Sequence, residues 1–389
     1  MFNAVLVLCC FLFLSGNCQS TIWHLHSGNL PAGDANARIS LGKLWENCGC
    51  LHLFAPQGRR PSFAIINKSS SGQTMGKKPP EYKCGHRIEE RWEVVKTLGS
   101  GSFGIVYCVK DLCDPEKSEY ALKMDYNCSV RPKLELYVMK LAQLHNCKHF
   151  CKGVAAGITT GIDRTSFVVM TQIGHSLEDK KKEHRFTLGC ALSVGMQCLT
   201  AIEELHSIGF LHRDLKPENF AVAYEDQSRV MILDFGCSRA YMDANGRIRL
   251  PRFAMSFQGT QRYAPLSCHL FREFSRKDDL ETWFYQQVEL TKGMLPWRAA
   301  EGYNYRYEIG LFKERCRYGI GLDLFLGGCP RQFVEILRYI DGLGYYDQPD
   351  YNKIHNLMRM AMQAHDVFET YDWVERAKEK AQKVIAKDL

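Results

Sequence analysis

The stretch Phe210–Val222 reads FLHRDLKPENFAV and packs six polar side chains into eight positions between apolar flanks. Five of them are candidates for a site: His212, Arg213, Asp214, Lys216 and Asn219. The apolar flanks predict short buried strands that hold the loop in place. Two interpretations are open here. The segment is either a solvated loop that caps a helix, or a site where Asp214 accepts a proton, Lys216 neutralises anionic charge and Asn219 binds a metal ion.

A glycine-rich turn joins two predicted strands, RWEVVKTLG and GIVYCVKD. The turn contains Gly99, Gly101 and Gly104. Backbone amides without side chains can approach phosphate oxygens closely. Dinucleotide-binding folds share the G-x-G-x-x-G spacing, but they place a helix directly after it. Because a strand follows here, the pattern favours a different nucleotide site, in which Val106 covers the base.

Two further charged residues are candidates for the same site. Lys123 lies on a third predicted strand, SEYALKM, where it either binds phosphate or faces water at a sheet edge. Glu135 lies near the start of the predicted helix KLELYVMKLAQLH, 12 positions after Lys123. The sequence therefore predicts either an ion pair between Lys123 and Glu135 or a glutamate on the surface.

A fourth motif ends a buried strand. In VMILDFGCS, four apolar residues precede Asp234, Phe235 and Gly236. Asp234 is either a turn residue or, with Asn219, a ligand of a metal that bridges phosphates. The gap of 15 positions between Asn219 and Asp234 suits a hairpin that returns to one cleft. Four motifs in this order favour a site for phosphoryl transfer.

Bulk properties narrow the class of partner and compartment. The net charge is +7 without a long Lys/Arg block, which argues against nucleic acid as a partner. The 17 cysteines include no C-x-x-C pair, which is typical of free thiols in a reducing compartment. The apolar run near the N-terminus is similar to a secretory signal peptide, and Asn67-Lys68-Ser69 would then be a glycosylation site. We predict a cytoplasmic protein without a transmembrane span, secretion being the alternative.

The pattern of elements predicts an α+β fold with two lobes. We expect an antiparallel β-sheet lobe with one main helix, followed by a mostly helical lobe. The predicted divisions are an apolar signal-like segment at 1–18, a low-order extension at 19–87, the main domain at 88–374 and a short helical tail at 375–389. Within the domain the first lobe covers about 88–170, the connecting hinge 171–174 and the second lobe 175–374.

These motifs resemble the eukaryotic protein kinases from about Glu90 to Trp373. Within them the chain is most similar to the casein kinase I superfamily, closest to the tau-tubulin kinase branch. The motifs that carry this resemblance are QIGHSLED, QGTQRYAPLSCH, RKDDLETW with Asp279 as buried anchor, GMLPWR and the late PDY…YDW. The chain departs from the family at Pro265, where serine is usual, and in a Lys123–Glu135 segment about two residues shorter.

The resemblance implies an active serine/threonine kinase that uses ATP and Mg2+ and acts on protein Ser or Thr, with cytoskeletal proteins among the candidate substrates. The implied catalytic residues are Asp214, Lys216 and Asn219, and the implied metal ligands are Asn219 and Asp234. The implied nucleotide site comprises Leu98, Gly99, Gly101, Gly104, Val106, Ala121, Lys123, Glu135, Met170, Gln172 and Ile173. A pseudokinase that binds nucleotide and partners is the alternative, and the oligomeric state is not predicted.

Arginines after Gly236 suggest how a substrate is chosen. Residues 239, 247, 249, 252 and 262 are all Arg, against a single acid, Asp243. Arg247 and Arg249 fit a solvated loop. Arg262, in GTQRYAP, stands where the family has an arginine that helps to bind an anion, and Arg306 is the second candidate. We therefore expect a preference for sites near acidic or phosphorylated residues.

Overall fold

A computed structural model describes residues 81–101, 104–125, 129–160, 164–243, 245–299 and 305–385. The predicted signal-like segment 1–18, the Asn67 triplet and most of the predicted extension 19–87 lie outside these residues. So do Ser102 and Phe103 of the glycine-rich turn. Residues 81–385 all belong to one compact unit of the chain.

Alternating apolar residues build a six-stranded antiparallel sheet. Its strands are β1 Arg87–Ile88, β2 Trp92–Ser100, β3 Gly104–Asp111, β4 Glu119–Asp125, β5 Gly153–Ile158 and β6 Ser166–Met170, in the order β1-β2-β3-β4-β6-β5. One face is covered by a small core that includes Trp92, Tyr107 and Leu122, each at most 2% exposed. The other face remains for the rest of the domain and for a ligand.

Helix α1, Arg131–Leu144, is the main helix of this lobe and packs against β5. Pro132 in its first turn suits a helix start, since the amide that proline lacks has no partner there. The buried residues Glu135, Val138, Met139 and Ala142 follow helical spacing, so they form one face. Glu135 is the charged member of that face, and a buried carboxylate requires a partner.

The second lobe is mostly helical. Its helices are α2 Leu177–Glu183, α3 Leu188–Ser207, α4 Leu266–His269, α5 Arg276–Lys292, α6 Arg306–Arg315, α7 Gly319–Leu326, α8 Gln332–Asp341, α9 Tyr351–Ala364 and α10 Asp372–Ile385. Short strands lie between α2 and α4 or beside them: β7 Ile173–Ser176, β8 Phe210–Leu211, β9 Phe220–Ala223, β10 Val230–Ile232 and β11 Arg239–Ala240. Strands β10, β9 and β7 form one sheet and β11 pairs with β8. The two-lobed α+β arrangement predicted from the sequence is therefore confirmed.

Helix α3 forms the centre of the large core. Among the described residues it is the one helix long and apolar enough to cross a membrane, judged by length and composition alone. Most of its residues are buried, and it packs against α5, α9 and β10. Packing inside the protein thus accounts for its apolar surface.

Two predicted boundaries differ from the observed elements. Strand β1 crosses the predicted end of the extension at residue 87, and Tyr82 packs against the small core. Helix α10 begins at Asp372, before the predicted tail at residue 375.

Strand β5 has no counterpart in the predicted elements, because its sequence GVAAGI lacks the aromatic and most of the β-branched residues that indicate a strand.

The three glycines of the turn have different surroundings. An added Cβ at Gly104 would overlap the carbonyl oxygen of Met124 and lie 3.2 Å from the Cα of Asp125, because β3 and β4 approach closely here. At Gly99 and Gly101 an added Cβ would meet no described atom within 4 Å. Glycine at position 104 is thus required by the sheet itself, whereas positions 99 and 101 leave open space above it.

We expect Gly104→Ala to destabilise the protein by about 1–3 kcal/mol, since the added methyl group meets backbone atoms that cannot rotate away. Gly101→Ala is the matched control and should change the free energy of unfolding by less than about 0.5 kcal/mol. Urea unfolding of the two variants and the wild type measures both values. Equal losses in the two variants would contradict the assigned role of Gly104.

Candidate active site

The backbone of loop 212–219 is fixed by one buried carboxylate. Asp279 on α5 is 1% exposed. Its two oxygens accept hydrogen bonds from the backbone amides of His212, at 2.7 Å, and Arg213, at 2.9 Å. The imidazole Nε2 of His206 lies 2.9 Å from the same carboxylate. Asp279 is therefore the buried anchor that the resemblance implied.

Close backbone contacts also fix the loop 212–219, including one with Gly259 of the segment 259–265. Arg213 has a φ of 69°, in the left-handed region, and its Nε donates to the carbonyl of Cys237 at 2.7 Å. Gly259 also has a positive φ, of 84°, and an added Cβ there would lie 2.6 Å from the carbonyl oxygen of Arg213. Only glycine satisfies both conditions, so the chain can pass this close to the loop.

The polar side chains of the loop converge on Thr260. The Thr260 hydroxyl donates to Asp214 Oδ1 at 2.8 Å and accepts from Lys216 Nζ at 3.1 Å. Lys216 Nζ is also 3.4 Å from Asp214 Oδ2. Asn219 Nδ2 donates to the backbone carbonyl of Asp214 at 2.8 Å. The three predicted catalytic residues thus share one small region, whose fourth member, Thr260, the sequence analysis missed.

Lys123 lies between two carboxylates. Its Nζ is 3.0 Å from Glu135 Oε1 on α1 and 2.9 Å from Asp234 Oδ1. The predicted ion pair between Lys123 and Glu135 is therefore present. Burial alone would lower the pKa of Lys123, but the charges of Glu135 and Asp234 outweigh burial and raise it. Burial would likewise raise the pKa of Asp234, and the charge of Lys123 lowers it below its ordinary value. Lys123 and Asp234 are consequently charged partners at neutral pH, whereas burial raises the pKa of Glu135 to about 7 against the opposing charge of Lys123.

The apolar residues predicted to contact a nucleotide base share one face of the sheet. Val106 is paired directly with Lys123, Ala121 with Met170, and residues directly opposite in antiparallel strands point to the same side. Leu98 lies at a β-bulge opposite β3 and is 44% exposed. This face, next to Lys123, is apolar without being covered by the small core.

The predicted hinge contains one residue that points elsewhere. Gln172 donates from Nε2 to the thiol of Cys108 at 3.2 Å, and its side chain lines a cavity of about 740 Å³ behind the hinge. The cleft residues Val106, Lys123 and Met170 do not line that cavity. Ile173 begins β7, which pairs with β9 behind the 212–219 loop. The side chain of Gln172 is thus engaged by Cys108, and the backbone of the hinge is the part that a ligand in the cleft would meet.

Two oxygens near Lys123 suit a divalent cation. The backbone amide of Leu233 donates to the carbonyl of Asn219 at 2.9 Å, which places Asp234, the next residue, beside Asn219. Asn219 Oδ1 and Asp234 Oδ2 make no hydrogen bond within the described residues. The described part of the chain contains no cluster of three or more Cys, His, Asp or Glu that could form a complete metal cage. Magnesium in phosphate sites uses one or two protein oxygens and takes the rest from phosphate and water, so this donor set fits Mg2+.

The arginines after Gly236 have acidic partners that the sequence analysis did not foresee. Arg239 and Arg252 pair with Glu273, and Arg262 lies 3.8 Å from Glu289. Arg247 pairs with Asp243 and is 75% exposed in its side chain, which fits the predicted solvated loop. Arg306 instead stacks over the ring of Phe257, with 4.3 Å from its guanidinium carbon to the ring centre. The sequence analysis counted only the acid within the arginine-rich segment, so it underestimated how much of the positive charge is neutralised by acids elsewhere in the chain.

We expect Asp279→Asn to lower the free energy of unfolding by roughly 3–5 kcal/mol at pH 7, the usual cost of breaking a buried pair. Burial alone would raise the pKa of Asp279, but the hydrogen bonds from His206 and the amides hold it below its ordinary value. Its stabilising contribution is therefore complete above the unfolded pKa, about 3.9, and is lost as pH falls through the folded value. Urea unfolding between pH 7 and pH 3 should show the difference between the wild type and the variant shrinking.

The exposed Asp323→Asn serves as the control for this experiment and should leave stability unchanged at every pH. A difference between wild type and Asp279→Asn that stays constant down to pH 3 would contradict the assignment.

Comparison with known proteins shows which family the chain belongs to. Residues 92–298, more than half of the chain, match the protein kinase domain. The serine/threonine-protein kinase spe-6 of Caenorhabditis elegans is 37% identical over 302 residues, which are 75% of this chain and 78% of that protein. A second Caenorhabditis elegans protein with serine/threonine-protein kinase in its name is 31% identical over 300 residues, covering 75% of this chain and 82% of its own length.

A relative from a distant organism matches the same share of the chain. A probable serine/threonine-protein kinase of Dictyostelium discoideum is 30% identical over 299 residues, which are 75% of this chain and 58% of that protein. The matched region contains the glycine-rich turn, Lys123, loop 212–219 and Asp234. The chain belongs to the protein kinase domain family.

Proposed function

We propose that the protein is an active serine/threonine kinase of the casein kinase I superfamily, which transfers the γ-phosphoryl group of ATP to protein hydroxyls. The observation that carries this proposal is that two polar groups meet in one cleft: Lys123 with Glu135 and Asp234, and Asp214 with Lys216. The names of the relatives support the serine/threonine class. The motifs around Arg262 and Asp279 support the casein kinase I branch.

ATP would lie against the exposed face of the sheet. The base contacts Val106, Ala121 and Met170 and the backbone of the hinge, because this face is apolar and open. No side chain at Gly99 or Gly101 fills the space above the sheet, so phosphate oxygens can approach the backbone of the turn closely. Lys123, kept protonated by its two carboxylates, holds the phosphates.

Asn219 and Asp234 are the residues that would hold Mg2+, which neutralises charge on the phosphates. Asp214 orients the substrate hydroxyl and accepts its proton. The serine or threonine oxygen forms a bond to the γ-phosphorus, while the bond from that phosphorus to the β-phosphate oxygen breaks and ADP leaves. Lys216 offsets the negative charge on the transferred group, and Thr260 keeps Asp214 and Lys216 in position.

Asp214→Asn tests the assignment of the proton acceptor. We expect phosphorylation of a casein-like substrate to fall by about 10²- to 10⁴-fold, the usual contribution of a general base. Nucleotide binding, followed as thermal stabilisation by ATP with magnesium, should be unchanged, because Asp214 contacts neither the base nor the phosphates in this scheme. The measurement is initial rate against substrate concentration with purified proteins.

The matched control is Asp366→Asn. Asp366 is exposed after α9 and has a φ of 50°, a conformation that asparagine also adopts, so this variant should retain full activity. Equal activity of Asp214→Asn and the wild type would refute the assignment. Binding of ATP by a wild-type protein that transfers no phosphate would favour the pseudokinase alternative.

We further propose that Arg262 directs the enzyme to serine or threonine near acidic or phosphorylated residues. Arg262 shares the buried carboxylate of Glu289 with Lys181, whose Nζ lies 3.4 Å from it. Lys181 also pairs with Glu178, at 2.6 Å, and Glu289 accepts a further hydrogen bond from the hydroxyl of Tyr263. The guanidinium of Arg262, 19% exposed, can therefore turn to an anion while Glu289 keeps two other partners. Arginine suits this role since its planar fork binds carboxylate or phosphate through two hydrogen bonds.

A peptide array with wild type and Arg262→Ala tests this preference. The ratio of rates on acidic or phosphorylated peptides to rates on neutral peptides should fall towards one in the variant, and that ratio does not depend on the fraction of folded enzyme. Arg247→Ala, in the same basic segment, should keep the wild-type ratio. Raising the salt should also weaken the bias, since screening acts over about 8 Å at physiological ionic strength. An unbiased wild type, or a bias that Arg262→Ala leaves intact, would refute the proposed anion site.

A further inference from the structure

Lys313 on α6 is an ammonium group without access to water. It is 0% exposed, which is rare for lysine. Its Nζ lies 2.6 Å from the carbonyl oxygen of Ala264, 3.0 Å from that of Gln261 and 3.3 Å from His269 Nε2. His269 Nδ1 lies 2.8 Å from the carbonyl of Arg306 and must donate to it, so Nε2 is the acceptor that faces Lys313. A protonated Lys313 thus has one acceptor for each of its three N–H groups.

Both carbonyls bound by Lys313 belong to the segment 259–265. One of the two carbonyls between them in the chain, that of Arg262, accepts from Trp297 Nε1 at 2.8 Å. The residue before Gln261 is Thr260, whose hydroxyl bonds Asp214 and Lys216. A continuous path therefore runs from Lys313 through two peptide units to the proposed proton acceptor.

The surroundings of Lys313 leave its charge only partly compensated. The rings of Tyr285 and Trp297 lie 4.9 and 5.3 Å from its Nζ. Glu281 on α5 is the nearby acid, but it is engaged by Arg317 at 2.7 Å. Of the other titratable neighbours, Arg317 and Arg306 are cationic, while Cys268 and His269 on α4 are neutral at neutral pH: burial raises the pKa of Cys268 to about 11 and lowers that of His269 to about 4.

We propose that Lys313 is a positioning residue, which fixes the segment 259–265 through the carbonyls of Gln261 and Ala264 and so holds Thr260 against Asp214 and Lys216. This inference rests on the proposed kinase function, since it concerns the segment that would receive the protein substrate. Lys313 touches neither the nucleotide residues nor the metal ligands in the structure. Its loss should therefore affect transfer to protein and leave nucleotide binding intact.

The positioning of the segment 259–265 by Lys313 depends on pH, because it requires a protonated amine. Burial lowers the pKa of Lys313 to about 7. A neutral amine keeps only two N–H groups for the three acceptors, so the segment should loosen as pH rises above neutrality. Stability responds in the opposite direction: the unfolded pKa is roughly 10.4, so this group's contribution to stability rises with pH between the two values. A fall in activity over this range would therefore not arise from unfolding through Lys313.

Lys313→Met, which keeps the shape and removes the charge, is the first test. We expect kcat/KM for a peptide substrate to fall by about 10²-fold, the size expected when a reacting group is misplaced by about 1 Å. Thermal stabilisation by ATP with magnesium should match the wild type. The alkaline fall in kcat/KM with a midpoint near pH 7, expected in the wild type, should be absent from the variant.

Lys292→Met is the matched control, because Lys292 also donates to two carbonyls, those of Leu324 and Phe325, but away from the segment. It should keep both the wild-type rate and the alkaline fall. Full activity in Lys313→Met, or an unchanged alkaline fall in it, would overturn the proposal.

Hydrogen exchange on the wild type covers the case in which Lys313→Met does not fold. The protection of the amides at 260–264, corrected for the intrinsic effect of pH, should decrease between pH 6 and pH 8.5 in the wild type, while that of α5 should not. Unchanged protection at 260–264 would overturn the proposal. Because exchange requires no phosphoryl transfer, this measurement separates a failure of the Lys313 proposal from a failure of the kinase assignment.

Discussion

The buried carboxylate of Asp279 is the constraint on which the active-site cleft depends. Water cannot reach it, so its oxygens must be met by donors from the protein, and two of these are the amides of His212 and Arg213. The loop that carries Asp214 is thereby tied to α5, a largely buried helix of the second lobe. His212 extends the tie, since its Nε2 lies 2.9 Å from the carbonyl of Leu233, directly before Asp234. One carboxylate thus sets the position of both Asp214, the proposed proton acceptor, and Asp234, a proposed metal ligand.

The substrate side of the cleft is built by backbone contacts. Gly259 can pass within reach of Arg213 only without a side chain, and Thr260 then meets Asp214. Farther along this segment, the carbonyl of Arg262 accepts a hydrogen bond from Trp297, and that of Ala264 accepts one from Lys313. A substrate bound here would rest on a strip of main chain whose other side is buried in the core. Such a strip keeps its shape while the side chains above it vary, which is one way to change specificity without disturbing catalysis.

Local patterns predicted strands β2, β3, β4, β6 and β10, helices α1, α3 and α5, and the charged residues of the cleft, because strand alternation, helical spacing and the motif intervals are local properties. They could not predict partners that are distant in the sequence. Glu273 and Glu289 neutralise arginines of another segment, so the excess of arginine seen in the sequence overstated the positive surface. Gly104 fits a phosphate-binding pattern, yet its surroundings show that strand packing already requires glycine there. Lys313 lies in no motif, and only the fold shows that it is buried.

Lys123 and Lys313 show why residue type alone does not assign a role. Lys123 lies between two carboxylates, and full opposite charges more than offset the cost of burial, so its pKa is raised. Lys313 meets carbonyl dipoles and an imidazole, which offset less of that cost, so its pKa is lowered. Lys123 therefore stays protonated at physiological pH, as its proposed role in binding phosphate requires. Lys313 instead gains or loses its proton near neutral pH, because burial lowers its pKa to about 7. Of these two lysines only Lys313 changes its charge near neutral pH, so any sensitivity to pH that they confer arises at the segment 259–265.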